Sequence, residues 1–121
     1  MLDGVRVLVV EDEPLIAMEL VLTIEEAGGV IAGSVRSLTE AIEAARTTDF
    51  DVALLDVRMR DGTTFSVAKI LSVRKIPFLF CTGDSEQRDE FRDWPDVPLV
   101  SKPHKPENVI AVLSKLLANR R

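Results

Sequence analysis

Apolar and polar positions along the chain follow two alternating rhythms. Val5 to Val10 is a short, nearly continuous apolar run, interrupted only by Arg6, as a strand buried on both faces requires. From Glu13 to Ala27 the spacing changes to that of an amphipathic helix, with Pro14 near its first turn and Gly28-Gly29 at its close. The alternation repeats. Val30 to Val35 predicts a second strand, and Ser37, three residues before Glu40, has capping-box spacing at the head of a helix reaching Thr47. A third strand over residues 51–55 leads through a loop, Arg58 to Gly62, to a helix from Thr63 to Val73. Pro77 to Cys81 and Val97 to Ser101 predict strands four and five, and Pro106 to Ala118 the last helix. Short connections and strands apolar on both faces predict an α/β fold of five βα units, a doubly wound five-stranded parallel sheet with helices on both sides. Ser85 to Trp94 is a poor fourth helix. Its apolar residues are only Phe91 and Trp94, between Gly83 and Pro95, so that element is expected to be short or mobile, and to be ordered when the site is charged.

The ends of the strands carry the chemistry. Strand one runs into Glu11-Asp12 and strand three into Asp56, so parallel neighbours would bring three carboxylates to the C-terminal edge, where open α/β sheets place their sites. Three like charges at that spacing call for protonation or a cation. A hard divalent ion such as Mg²⁺ is the simpler answer at physiological pH. Strand four ends on Cys81-Thr82-Gly83 and strand five on Ser101-Lys102-Pro103, adding a hydroxyl and an ammonium to the same edge.

Composition narrows the setting. The 121 residues fit one domain, 1–121, with 46% apolar and 29% charged residues. A formal net charge of −5 disfavours nucleic acid and anionic membrane surfaces. A lone cysteine, no signal-like leader and no long apolar run predict a cytoplasmic protein.

Glu11-Asp12, Asp56, Thr82 and Lys102-Pro103, each at the end of its strand, resemble the receiver domain of two-component response regulators, a flavodoxin/CheY-like fold. The resemblance covers the whole chain. It implies that Asp56 accepts a phosphoryl group from a sensor histidine kinase or histidine phosphotransfer domain. It further implies Mg²⁺ held by Asp12, Asp56, the Arg58 carbonyl and Glu11, the last through water. Thr82 and Lys102 would meet the phosphoryl oxygens, and the Lys102–Pro103 peptide bond would be cis. The chain is expected to be a freestanding signalling regulator, or a piece cut from a longer one, and not a metabolic enzyme. Pro77 and Phe78-Leu79-Phe80-Cys81-Thr82-Gly83 resemble the FATGUY subgroup of single-domain receivers, with Cys81 where that motif has Ala. Subgroup members relay or drain phosphoryl groups toward a downstream regulator.

Two other readings stay open. A pseudo-receiver would use the fold for protein binding alone; Glu11, where Asp is more usual, keeps it alive. A haloacid-dehalogenase-type phosphatase would need Asp-x-Asp-Gly-Thr, but Met59 stands at the nucleophile position before Asp61-Gly62-Thr63. Further expectations attach to single positions. Leu15, Met18 and Leu22 form a second apolar stripe on the first helix, opposite Ile16, Leu20 and Ile24, suited to docking the phosphodonor's helices or a second copy in a homodimer. Arg58 and Asp84, two residues after Asp56 and Thr82, would pair across the mouth of the site and tune phosphoryl lifetime. Leu99 occupies the strand-five position of the usual aromatic switch, so the relay must differ. Cys81 is read as a small buried hydrophobe, His104 as a surface histidine, and Trp94 as a loop anchor.

Overall fold

The computed structural model describes residues 1–83 and 88–119. Five strands, β1 (Arg6–Val10), β2 (Val30–Val35), β3 (Val52–Asp56), β4 (Phe78–Thr82) and β5 (Leu99–Ser101), form one parallel sheet in the order β2-β1-β3-β4-β5. Helices α1 (Pro14–Glu26), α2 (Leu38–Thr47), α3 (Phe65–Arg74) and α4 (Pro106–Ala118) cover it. The chain leaves β1 outward to β2 and then returns past it to β3, so the strand order reverses between β1 and β3. Helices diverge to opposite faces there, and a crevice opens at the C-terminal edge.

The two-residue pleat explains why both faces are apolar. Leu8, Val10, Ala53, Leu55, Phe78 and Phe80 face one core with Ala41 and Ala45 of α2 and Val67, Ala68 and Leu71 of α3. Val7, Val9, Val52, Leu54, Leu79 and Cys81 face the other, with Leu20 and Ile24 of α1 and Val109, Ile110 and Leu113 of α4. Burying each large side chain contributes about 1.5–3 kcal/mol. Local signals set the boundaries. Pro14 is the first residue of α1, and Ser37 Oγ accepts from Glu40 N at 3.1 Å while donating to Glu40 Oε1 at 3.1 Å.

Details differ from the sequence reading, and strand five starts at Leu99 and not at Val97. Residues 58–63 are not an open loop but a small antiparallel hairpin, Arg58–Met59 against Gly62–Thr63. Its tip is pinned by Asp61, whose carboxylate accepts from Leu38 N at 3.1 Å, and Gly62 has φ 141°, a conformation L side chains rarely adopt. The helix after it begins at Phe65, not Thr63. Between β4 and β5, the described part of the poor fourth helix is a 3₁₀ turn, Arg88–Phe91, short as expected, so the described residues form four α-helices. That turn is docked. Phe91 is buried against Phe65 and Phe80, and Trp94 packs edge-on to Phe78 and Phe80, as a loop anchor would. Such ring contacts each add about 0.5–1.5 kcal/mol beyond burial. A short element is what its weak helix pattern predicts, and the ring packing supplies the anchorage that local propensity does not. No helix of the described residues is long and apolar enough to cross a membrane.

Candidate functional site

Side-chain parity assembles the site. Val7 and Val9 point to the α1/α4 face, and the same alternation carried two residues on sends Glu11 that way; Val52 and Leu54 do the same for Asp56, and Val100 for Lys102. Three charged groups therefore meet on one side of the edge. Lys102 Nζ lies 3.0 Å from Glu11 Oε1 and 3.0 Å from Asp56 Oδ1. The Lys102–Pro103 peptide bond is cis. Thr82 follows the other parity, shared with Phe78 and Phe80, and approaches from the opposite side of the cleft.

Carboxylate oxygens of Glu11, Asp12 and Asp56 lie within 4.8 Å of one another. Glu11 is only 1% exposed; its Oε2 accepts from Glu13 N at 3.1 Å. Its Oε1 is buried and, although close to Lys102, is not aligned for a directed hydrogen bond. Asp12 accepts from Arg60 N at 2.9 Å, tying the first strand end to the hairpin. Burial and the charge of Glu11 push the Asp56 carboxyl up to about 7, against the pull of Lys102. Burial also works against the Lys102 ammonium, but the close carboxylates of Glu11 and Asp56 outweigh this and hold its pKa above the usual lysine value. One ammonium thus faces three carboxylates, two of them at 3.0 Å, and leaves the cluster short of positive charge. A small oxygen-seeking dication fits that donor set.

A cleft of about 260 Å³ opens above Asp56, lined by Val57, Arg58, Thr82, Gly83 and Lys102. The proposed phosphoryl-contacting residues therefore share one cavity with the carboxylate. Arg58 is exposed at its rim, and its guanidinium donates to Glu90 of the 3₁₀ turn. Asp84, the partner expected for Arg58 from the sequence, lies outside the described residues. Cys81 is buried, and burial first, then Asp56 and Glu11, push its thiol up to about 12 against the pull of Lys102, which makes it inert at neutral pH.

Two contributors were invisible in the sequence. Thr64 is fully buried and donates its hydroxyl to the Asp56 carbonyl at 2.8 Å, while its N–H donates to the Val57 carbonyl at 3.0 Å. It clamps the backbone of the candidate phosphoacceptor instead of capping α3 with its side chain. The only hint was a second threonine after Asp61-Gly62-Thr63. The other contributor is Glu90. His104 also differs from the surface histidine expected: it is half-buried, its Nε2 is enclosed without a hydrogen-bond partner, and burial with the nearby Lys102 charge lowers its pKa. Leu15, Met18 and Leu22 are not gathered into the site. They stand on the outer face of α1, 70%, 59% and 53% exposed.

The sequence model of the response regulator receiver domain matches residues 7–114. This chain belongs to that family. The receiver is 33% identical over 115 residues to the phyllosphere-induced regulator PhyR of Methylorubrum extorquens, a match covering 93% of this chain and 43% of that protein. Among solved structures, SdrG from Sphingomonas melonis Fr1 shares 37% identity with a TM-score of 0.78, over 94% of this chain and 97% of that one. PhyR from Brucella abortus shares 30% identity with a TM-score of 0.82, over 95% of this chain and 48% of the other. The receiver thus spans less than half the length of the curated relatives it matches. With that membership, and with Asp61 used to hold Leu38 N at the head of α2, the phosphatase reading falls away.

Proposed function

We propose that this receiver is a phosphoacceptor in a two-component phosphorelay, with Asp56 as the residue modified and residues 1–121 acting as one signalling unit. The observation that carries the reading is the cleft over Asp56, with its carboxylate bridged to Lys102 and Thr82 on the facing wall. An Asp56 oxygen attacks the phosphorus of a phosphohistidine; the P–N bond breaks as the O–P bond forms, and the imidazole nitrogen keeps the electron pair and takes a proton from solvent. Lys102 and Thr82 meet the transferred oxygens, and Thr64 keeps the Asp56 backbone from shifting under the added group. Positioning and charge neutralisation are most of what such a transfer asks of a protein. Mg²⁺, when bound, supplies the neutralising charge, and Glu11, Asp12, Asp56 and the Arg58 carbonyl are the groups to hold it.

The donor is a helical phosphohistidine domain, of a sensor kinase or a phosphotransfer protein. The exposed Leu15, Met18 and Leu22 stripe is its landing surface beside the site. In a reducing cytoplasm the receiver would pass the phosphoryl group on to a further regulator, or lose it to water. The test is acetyl phosphate with Mg²⁺, followed by intact mass. One phosphoryl addition is expected in the parent, none in Asp56→Asn, and a weakened metal requirement in Glu11→Gln. Full labelling of the Asn variant would overturn the assignment of Asp56, and no labelling of the parent would favour a receiver that only binds.

A further inference from the structure

Arg58 belongs to two structures at once. Its backbone is fixed by the hairpin pairing with Thr63, directly after the candidate phosphoacceptor, and its side chain lines the cleft above Asp56. Yet its guanidinium donates to Glu90, which is half-buried in the 3₁₀ turn. The residue after Glu90 is Phe91, wedged between Phe65 of α3 and Phe80 of β4, and Phe80 lies two residues before Thr82. Leu99, on the neighbouring strand, has no ring to move. The Arg58–Glu90 pair is thus a charged tie from the cleft to the turn.

We propose that Glu90 and the phosphoryl group on Asp56 compete for Arg58, so that phosphorylation unties the Arg88–Phe91 turn from the site. The proposal rests on Asp56 being the phosphoacceptor. The competition is uneven in the right direction. An ion pair as exposed as this one is weak, with solvent screening most of its attraction. A phosphoryl group adds negative charge and acceptor oxygens inside the cleft that Arg58 lines, and guanidinium binds phosphate oxygens in a bidentate fork. Once Arg58 turns inward, Glu90 loses this cation, and the turn keeps its ring packing and backbone hydrogen bonds without the charged tie. Glu90 is therefore a positioning residue: it touches no reacting atom and acts through Arg58.

The test uses the full chain with beryllofluoride and Mg²⁺ as the phosphoryl mimic, following amide exchange at Arg92 and Trp94, whose N–H groups donate to the Asp89 and Phe91 carbonyls. Exchange there should quicken about two- to fivefold on activation, the range expected for loss of one exposed ion pair. Glu90→Gln should show the faster exchange already in the free protein, with no further change on activation. The exchanged pair, Arg58→Glu with Glu90→Arg, keeps the tie but places an anion at the rim; it should stay protected in both states. NMR shifts at Asp56 and Lys102 report separately on mimic binding. If they do not move in the parent, the phosphoacceptor reading fails. If they move while exchange at Arg92 and Trp94 is unchanged, or if Arg58→Ala responds like the parent, the competition is refuted.

Discussion

Replacing Asp56 with Asn should make the metal-free protein more stable even as it destroys the proposed phosphoacceptor. In the fold this carboxyl is buried beside Glu11, and its pKa stands at about 7 against an ordinary 3.8. The folded state therefore holds the proton more tightly than the unfolded chain, so stability falls as pH rises from about 4 through about 7. Above that window the whole penalty is present. About 3 pKa units at 1.36 kcal/mol each set a ceiling of about 4 kcal/mol. An amide keeps the shape without the charge but gives up the ion pair to Lys102, which then answers only Glu11, so a net gain of about 1–3 kcal/mol is expected. For a domain of this size that raises Tm by several degrees. Thermal unfolding in EDTA at pH 8 should show the gain, and at pH 5, where the parental carboxyl is protonated, most of it should vanish. Mg²⁺ at a hundred times its Kd should restore about 2.7 kcal/mol to the parent and much less to the variant. An Asn variant no more stable than the parent at pH 8, or a gain indifferent to pH, would refute the account of the cluster.

Replacing Leu15 and Met18 with Ser should slow phosphotransfer from a cognate histidine domain at least severalfold while leaving acetyl phosphate labelling intact; equal loss with both donors would place the defect in folding. Thr64→Val should cost about 1–3 kcal/mol in urea unfolding, because the Asp56 carbonyl is left buried without its donor. An unchanged midpoint would show that the clamp is dispensable.

The fold was legible because its strands are buried on both faces and its turns carry explicit signals. Pro14, Gly28-Gly29 and the Ser37–Glu40 box each act locally, and their residues sit where those local preferences send them. The cluster of Glu11, Asp12, Asp56 and Lys102 was legible for a related reason: strand ends in a parallel sheet share an edge, so three distant segments reduce to one place. What escaped were pairings with no local signature. The Arg58–Glu90 contact joins residues 32 apart, and the Thr64 hydroxyl reaches back 8 residues to a carbonyl that every residue possesses. The 3₁₀ turn was legible as a short element, but not the way it is held. Its own sequence is a weak helix former, and what holds it is a ring cluster drawn from α3, β4 and the turn itself.

That ring cluster also gives the receiver an optical address. The chain has one tryptophan and no tyrosine, so excitation at the red edge of the protein band reaches Trp94 alone. Its indole lies 5.9 Å from the Phe78 ring and 6.2 Å from the Phe80 ring, on the α2/α3 side of the sheet. Among the described residues, its surroundings are the turn, β4 and the ground beside Pro95 and Leu99, so disturbing any of these should shift its emission. A partner landing on the outer face of α1, behind the other core, leaves its emission unshifted. One unlabelled signal should therefore tell a change at the turn from binding at the outer face of α1, in the same cuvette and without a reporter being added.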